Sequence, residues 1–222
     1  MARAKCPAPA PEEWSGGART ILEQAKLLFA RKGFGAVSIQ QIAQGAGVSK
    51  ANVFHHFGSK DDLYLAVLKA ACEETMGSLN EALGGQDAGM ALWRFFSSQL
   101  EDMLRHQASA RLILREIMEG GDARERSLAE QVFDEYFNRL VNLVKQGQGV
   151  GLLRTEFDPA LLAYLMLGAN TFFFENHRIA VHLEEGAFAR SAAGYSQAVF
   201  QLLLQGALAD PSGQRVLTRL GN

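Results

Sequence analysis

Between Ser49 and Lys60 the sequence reads Ser-Lys-Ala-Asn-Val-Phe-His-His-Phe-Gly-Ser-Lys, with two lysines, two histidines, one asparagine and no acidic residue. These side chains donate hydrogen bonds or carry positive charge, and none repels a phosphate. On a helical wheel Val53 and Phe57 share one side, while Ala51 and His55 take the other, flanked by Asn52 and Phe54. A helix presented in this way suits the major groove of double-stranded DNA. Ala51 permits close approach and offers a methyl to thymine, and Asn52 and His55 donate or accept at base edges. Lys50, His56 and Lys60 stand where backbone phosphates come within reach, and the helix after Ser59 adds its first amides. The same wheel also describes an ordinary short helix packed into a small bundle through Val53 and Phe57.

Something must hold that helix out. Ser49 with Asn52 marks its start and Gly58 its end. Before it, Ser38 with Gln41 has the spacing of a capping box, followed by Ile39, Ile42, Ala43 and Ala46 at helical intervals. The turn Ala46-Gly47-Val48-Ser49 supplies a glycine for an unusual backbone angle and a valine to fill the angle between two helices. A longer helix precedes the pair: Thr20 with Glu23 opens it, Ile21, Leu22, Ala25, Leu28 and Phe29 form its apolar side, and Gly33 stops it. Ser59 with Asp62 begins a fourth, running to about Leu83. Two short helices on a glycine turn, braced by a longer one, predict a helix-turn-helix.

The average charge argues the other way until it is divided. Across 222 residues the net charge is −2. Residues 1–60 hold eight Lys/Arg against three Asp/Glu, and residues 61–222 hold fourteen against twenty-one, giving +5 and −7. A basic first quarter meets a polyanion, and an acidic remainder keeps an apolar domain hydrated. Two cysteines, Cys6 and Cys72, offer neither a disulfide framework nor metal-site spacing, which fits a reducing cytoplasm. The uncharged run from Leu161 to Phe174 is short of the roughly 20 residues a membrane span needs. His177 and His182 are five residues apart and do not share a helix face, so no metal and no cofactor is expected. Enzyme motifs such as a phosphate loop or a nucleophile elbow are missing.

The stretch Ile21-Leu22-Glu23-Gln24-Ala25-Lys26-Leu27-Leu28-Phe29-Ala30-Arg31-Lys32-Gly33-Phe34 resembles the first-helix signature of the TetR family of bacterial transcriptional regulators. Ser38 to Ala43, Ala46 to Lys50 and Phe54 to Leu63 continue the likeness in order, over about residues 18–70. The resemblance implies a homodimer on palindromic operator DNA, an effector-binding helical domain and repression relieved by a small molecule. It implies DNA-facing positions at Ser38, Ser49, Lys50, Ala51, Asn52, Phe54, His55, His56 and Lys60. Where the family commonly has tyrosine this chain has Phe54, and Val37 stands where threonine is frequent, so two phosphate contacts are lost.

The remaining chain reads as long amphipathic helices over about 90–106, 108–118, 123–145, 159–183 and 188–208. All-α is the expected fold, with about nine helices. An arm at 1–17, with Trp14 as a packing staple, precedes a DNA-binding domain at 18–64. An effector and dimer domain follows at 65–210, with a tail at 211–222. An apolar or aromatic effector is expected among Trp93, Phe96, Met103, Met118, Phe133, Phe137, Asn170 and Phe173. For any one of those rings, core packing is the plainer reading. The helix from Leu161 to Phe174 and the helix holding Val199 to Leu204 are apolar nearly all round, so a partner subunit is the natural cover, through Leu165, Phe172, Val199, Phe200 and Leu203.

Overall fold

The computed structural model describes residues 15–76, 87–119 and 129–205, and among them every regular element is a helix. In chain order they are α1 (Gly16–Lys32), α2 (Ile39–Gly45), α3 (Lys50–Phe57), α4 (Lys60–Met76), α5 (Ala88–Arg105) and α6 (Gln107–Glu119). A wide π-type turn (Ala129–Phe133) runs into α7 (Asp134–Gly149), followed by α8 (Pro159–Ala180) and α9 (Ala192–Gln205). None of the described helices is long and apolar enough to cross a membrane. The chain divides into two compact units, Met1–Gly77 with Asp102–Phe137, and Ser78–Glu101 with Asn138–Asn222.

In the first unit α1, α4 and α6 pack against one another, and α2 and α3 lean on α1. Ile21, Leu22, Ala25 and Phe29 form one face of α1 because they recur at three- and four-residue intervals, and all are buried. They share a core with Leu63, Val67 and Ala71 of α4 and Leu112 of α6. The Phe29 ring meets Tyr64 edge-on at 4.8 Å, and Phe34 lies 4.7 Å from Tyr64. Two polar links cross this core. Tyr64 donates its hydroxyl to Glu116 Oε2 at 2.6 Å. Lys26, itself buried, bonds Glu74 at 2.7 Å and Glu23 at 2.9 Å. Burial opposes the lysine charge, yet bonding to Glu74 and then Glu23 outweighs it and holds the ammonium above the ordinary lysine range. A raised lysine value stabilises the fold below the unfolded-state titration and loses that contribution as pH climbs through the folded-state value. Glu74 also accepts a hydrogen bond from Ser109, so one carboxylate joins α1, α4 and α6.

Cys72 lies in the same core at 0 % exposure, and burial, with Glu73 adding to it, pushes its thiol up to about 12. An inert thiol follows. With Cys6 replaced by serine, the native chain is expected to give no thiol reaction with Ellman's reagent at pH 8 until denaturant unfolds it. A rapid stoichiometric reaction under native conditions contradicts this burial.

The second unit is organised by α8. Asp158 accepts from the amides of Ala160 (2.7 Å) and Leu161 (3.2 Å), and Pro159 takes the first helical position, where no amide is needed. Ala163, Met166, Asn170, Phe173 and Phe174 form its buried face. Tyr195 of α9 stacks on Phe173 at 4.0 Å and donates to the Ala169 carbonyl at 2.6 Å. Phe200 lies 5.3 Å from Trp93 and 5.9 Å from Phe96.

Some boundaries differ from the sequence reading. The first helix starts at Gly16 rather than Thr20, because Ser15 caps it by accepting from the Ala18 amide at 3.4 Å. Thr20 instead turns its hydroxyl back onto the Gly16 carbonyl. The expected helix over 188–208 is broken: a 3-10 turn at Gly186–Arg190 ends at an extended Ser191, whose hydroxyl accepts from the Gly194 amide at 3.1 Å and starts α9. Residues 15–17 of the expected arm are the cap and first turn of α1, while residues 1–14 with Trp14, the start of the helix expected at 123 and the tail fall outside the described residues.

Candidate nucleic-acid interface

The reader segment is built from its caps. Ser38 accepts from the Gln41 amide at 3.2 Å, and Gln41 Oε1 accepts from the Ser38 amide at 2.9 Å, so the capping box satisfies two donors at once. At the other end of α2 the Gly47 amide donates to Gln44 O and the Val48 amide to Ala43 O at 3.0 Å. That pair of bonds requires a left-handed residue between them, and Gly47 supplies it at φ 68°. Space around Gly47 is open, so the backbone angle alone demands glycine. Valine at this position costs about 1–2 kcal/mol. Gly47→Val is therefore expected to lower the melting temperature by several degrees and Gly47→Asn by much less, read by circular dichroism. Equal melting of valine and asparagine variants refutes the argument.

Ser49 then caps α3 by accepting from the Asn52 amide at 3.1 Å, and Gly58, at φ 73°, ends it with its amide on the Phe54 carbonyl. Eight residues of helix result. Val53 is buried and Phe57 half-buried, which fixes the rotation of α3 and leaves Lys50, Ala51, Asn52, Phe54, His55 and His56 exposed. Lys50 Nζ sits 5.9 Å from the Phe54 ring, and the His55 and His56 rings are 5.4 Å apart. His56 lies next to Gly17, at the start of α1. Between Ser38 and Lys60 the sequence contains no acidic residue, so the exposed face is positive or neutral throughout.

Ser38 and Ser49 are exposed but serve their helix caps. Lys60 stands apart. Its ammonium donates to the Phe34 carbonyl at 2.6 Å and lies 4.2 Å from the Phe34 ring centre. A charge-assisted bond of this kind contributes about 1.5–3 kcal/mol and the ring contact about 0.5–1 kcal/mol. Nothing in the sequence pairs residues 34 and 60. Gly45 was equally unforeseen: it lies against the Gln24 side chain of α1, where a Cβ would meet Oε1 at 2.9 Å and turn that amide aside. Val37, read as a lost phosphate contact, is a core residue.

The effector candidates are distributed differently. Phe96, Asn170 and Phe173 are buried and Trp93 half-buried in the second unit, where Asn170 Nδ2 donates to Phe96 O at 2.8 Å and Gln99 Oε1 at 2.7 Å. Met103, Met118, Phe133 and Phe137 belong to the first unit, and Met118 is 83 % exposed. A groove of about 290 Å³ in the first unit, between the loop after α1 and Arg115, Glu116 and Glu119 of α6, is lined by none of the eight. On α8, Leu165 and Phe172 face outward, while on α9 Val199, Phe200 and Leu203 are half-buried.

Two short capped helices on a glycine turn, presenting an acid-free face, define a helix-turn-helix transcriptional regulator. Comparison with known proteins narrows the class. Residues 21–67 match the model of the bacterial regulatory proteins of the tetR family, and residues 90–194 match the tetracyclin repressor-like C-terminal domain. The chain belongs to the TetR family of bacterial transcriptional regulators. Over 184 residues it is 27 % identical to the HTH-type transcriptional regulator RutR of Escherichia coli K12, covering 82 % of this chain and 84 % of that one. Over 139 residues it is 31 % identical to the HTH-type transcriptional regulator YerO of Bacillus subtilis 168, covering 59 % of this chain but only 47 % of YerO. Among solved structures, the TetR family regulator PfmR of Thermus thermophilus superposes with a TM-score of 0.64 at 26 % identity, over 85 % of this chain and 98 % of PfmR.

Proposed function

We propose that the protein is a dimeric repressor that leaves a palindromic operator when a small apolar or aromatic effector binds. The observation that carries this is the exposed, acid-free face of α3. Ala51, Asn52 and His55 read base edges; Lys50, His56 and the Phe54 ring meet the sugar-phosphate backbone, with Ser38 and Ser49 at the two helix starts beside it. Two copies place two recognition helices about 34–36 Å apart on one side of the duplex. The protein acts in the cytoplasm, where operator DNA is found.

Dimerisation is supported by α8, where Leu161, Leu165, Phe172 and Ile179 make an exposed apolar stripe the length of the helix. The effector reading is supported by the aromatic interior of the second unit, where Phe200 meets both Trp93 and Phe96, and Asn170 bonds the Phe96 carbonyl. An effector that binds better to a dimer with misplaced recognition helices shifts the population off DNA, and operator must weaken effector binding by the same factor. The functional division then falls near residue 64, with DNA reading before it and sensing after.

The test is selection of duplexes from a random pool by the full chain, followed by titration of the recovered duplex at several salt concentrations. A palindromic consensus and a log–log salt slope of about −0.9 per phosphate contact are expected. A thermal-shift screen of acyl, aromatic and polar compounds on the same preparation identifies the effector class. Failure to enrich any duplex refutes DNA reading, and stabilisation by polar compounds alone refutes the apolar effector.

A further inference from the structure

The position of Lys60 suits a phosphate contact, but its geometry gives it another task. Its ammonium is held by both polar and aromatic parts of one residue, the Phe34 carbonyl at 2.6 Å and the Phe34 ring centre at 4.2 Å. Residue 34 comes just before α2, and residue 60 comes just after α3. The contact therefore joins the two ends of the segment containing α2, the glycine turn and α3. Phe34 is itself fixed, its ring packed 5.9 Å from Phe29 and 4.7 Å from Tyr64. On the other side, α4 is held by Ser59, whose hydroxyl accepts from the Asp62 amide at 3.0 Å.

Resting on the DNA-binding reading above, we infer that Lys60 is a positioning residue that closes the reader segment at its base and contacts no phosphate. The Phe34–Tyr64 contact already brings these ends together, and the Lys60 bond narrows the orientations that α3 samples between them before DNA arrives. Without it, only a fraction of molecules presents α3 correctly, and apparent affinity falls by that fraction. A phosphate contact behaves differently, because its loss releases one fewer counterion and changes the salt dependence as well as the affinity.

The experiment titrates the duplex selected by the full chain with wild type, Lys60→Met, Lys60→Arg and Lys50→Met, each across a salt series. Lys60→Met is expected to weaken binding about tenfold with the wild-type salt slope. Lys60→Arg, which donates to the carbonyl and stacks on the ring, is expected to restore affinity. Lys50→Met is expected to lower the slope by about 0.9. Should Lys60→Met fail to fold, Lys60→Gln replaces it with the same expectation for the slope. A slope lowered by about 0.9 in the Lys60 variant, or unchanged affinity, overturns the positioning role while DNA binding stands. Absence of any retained duplex with wild type overturns both.

Discussion

Replacing Leu165 and Phe172 together by glutamate is expected to leave a folded monomer that no longer holds the operator. Both side chains project from α8 on its exposed stripe, at 49 % and 71 % exposure, so neither substitution removes core contacts within its own chain. In the proposed two-fold dimer each appears twice, and four carboxylates then enter the apolar stripe of α8. Each uncompensated charge costs several kcal/mol, so four together outweigh a nanomolar association of about 12 kcal/mol. A monomer grips one half-site only. It loses the effective concentration that couples the second recognition helix to the first, and operator affinity falls at least about 100-fold. Sedimentation velocity reads the monomer and fluorescence anisotropy reads the DNA. Unchanged helicity with unchanged dimerisation removes α8 from the interface.

Phe29→Ala is expected to cost the first unit a large part of its stability. Phe29 is completely buried on α1, edge-on to Tyr64 and 5.9 Å from Phe34. Truncation leaves a cavity between three helices that rigid neighbours refill only in part, at a cost of about 3–5 kcal/mol. The melting temperature is expected to drop by about 6–20 °C. The damage also reaches the reader, because Phe34 loses the ring it leans on and its carbonyl is the acceptor for Lys60. Operator affinity at a temperature where the variant is still folded should therefore fall too. A melting shift of about 2 °C or less shows that the ring cluster contributes little.

Local rules made much of this molecule legible in its sequence. Gly33, Gly47 and Gly58 end helices where only glycine adopts φ near 70–80° comfortably, and Asp158-Pro159 starts one for reasons contained in two residues. The rotation of α3 was readable because Val53 and Phe57 are its only large apolar residues other than Phe54. What resisted reading was partnership. Periodicity identifies the apolar face of α6 but not that Leu112 joins the core of the N-terminal helices. A salt link such as Lys26 to Glu74, or a carbonyl contact such as Lys60 to Phe34, spans too many residues to leave a local trace. Ser15 and Ser191 were missed for a different reason: serine caps compete with many other serines, and the winning one depends on where the chain comes from. The effector residues were hardest, since aromatic composition is the same whether a ring fills a core or lines a pocket.

The first unit draws on two separated stretches of chain, and this bears on how such proteins are rebuilt. The simplest chimeric sensor cuts a regulator once, behind its DNA reader. A cut after Gly77 in this protein leaves Tyr64 without Glu116, Glu74 without Ser109, and the α1–α4 core without Leu112. The portable module is discontinuous. A chimera that preserves these contacts carries α6, with Ser109, Leu112 and Glu116, along with α1 and α4.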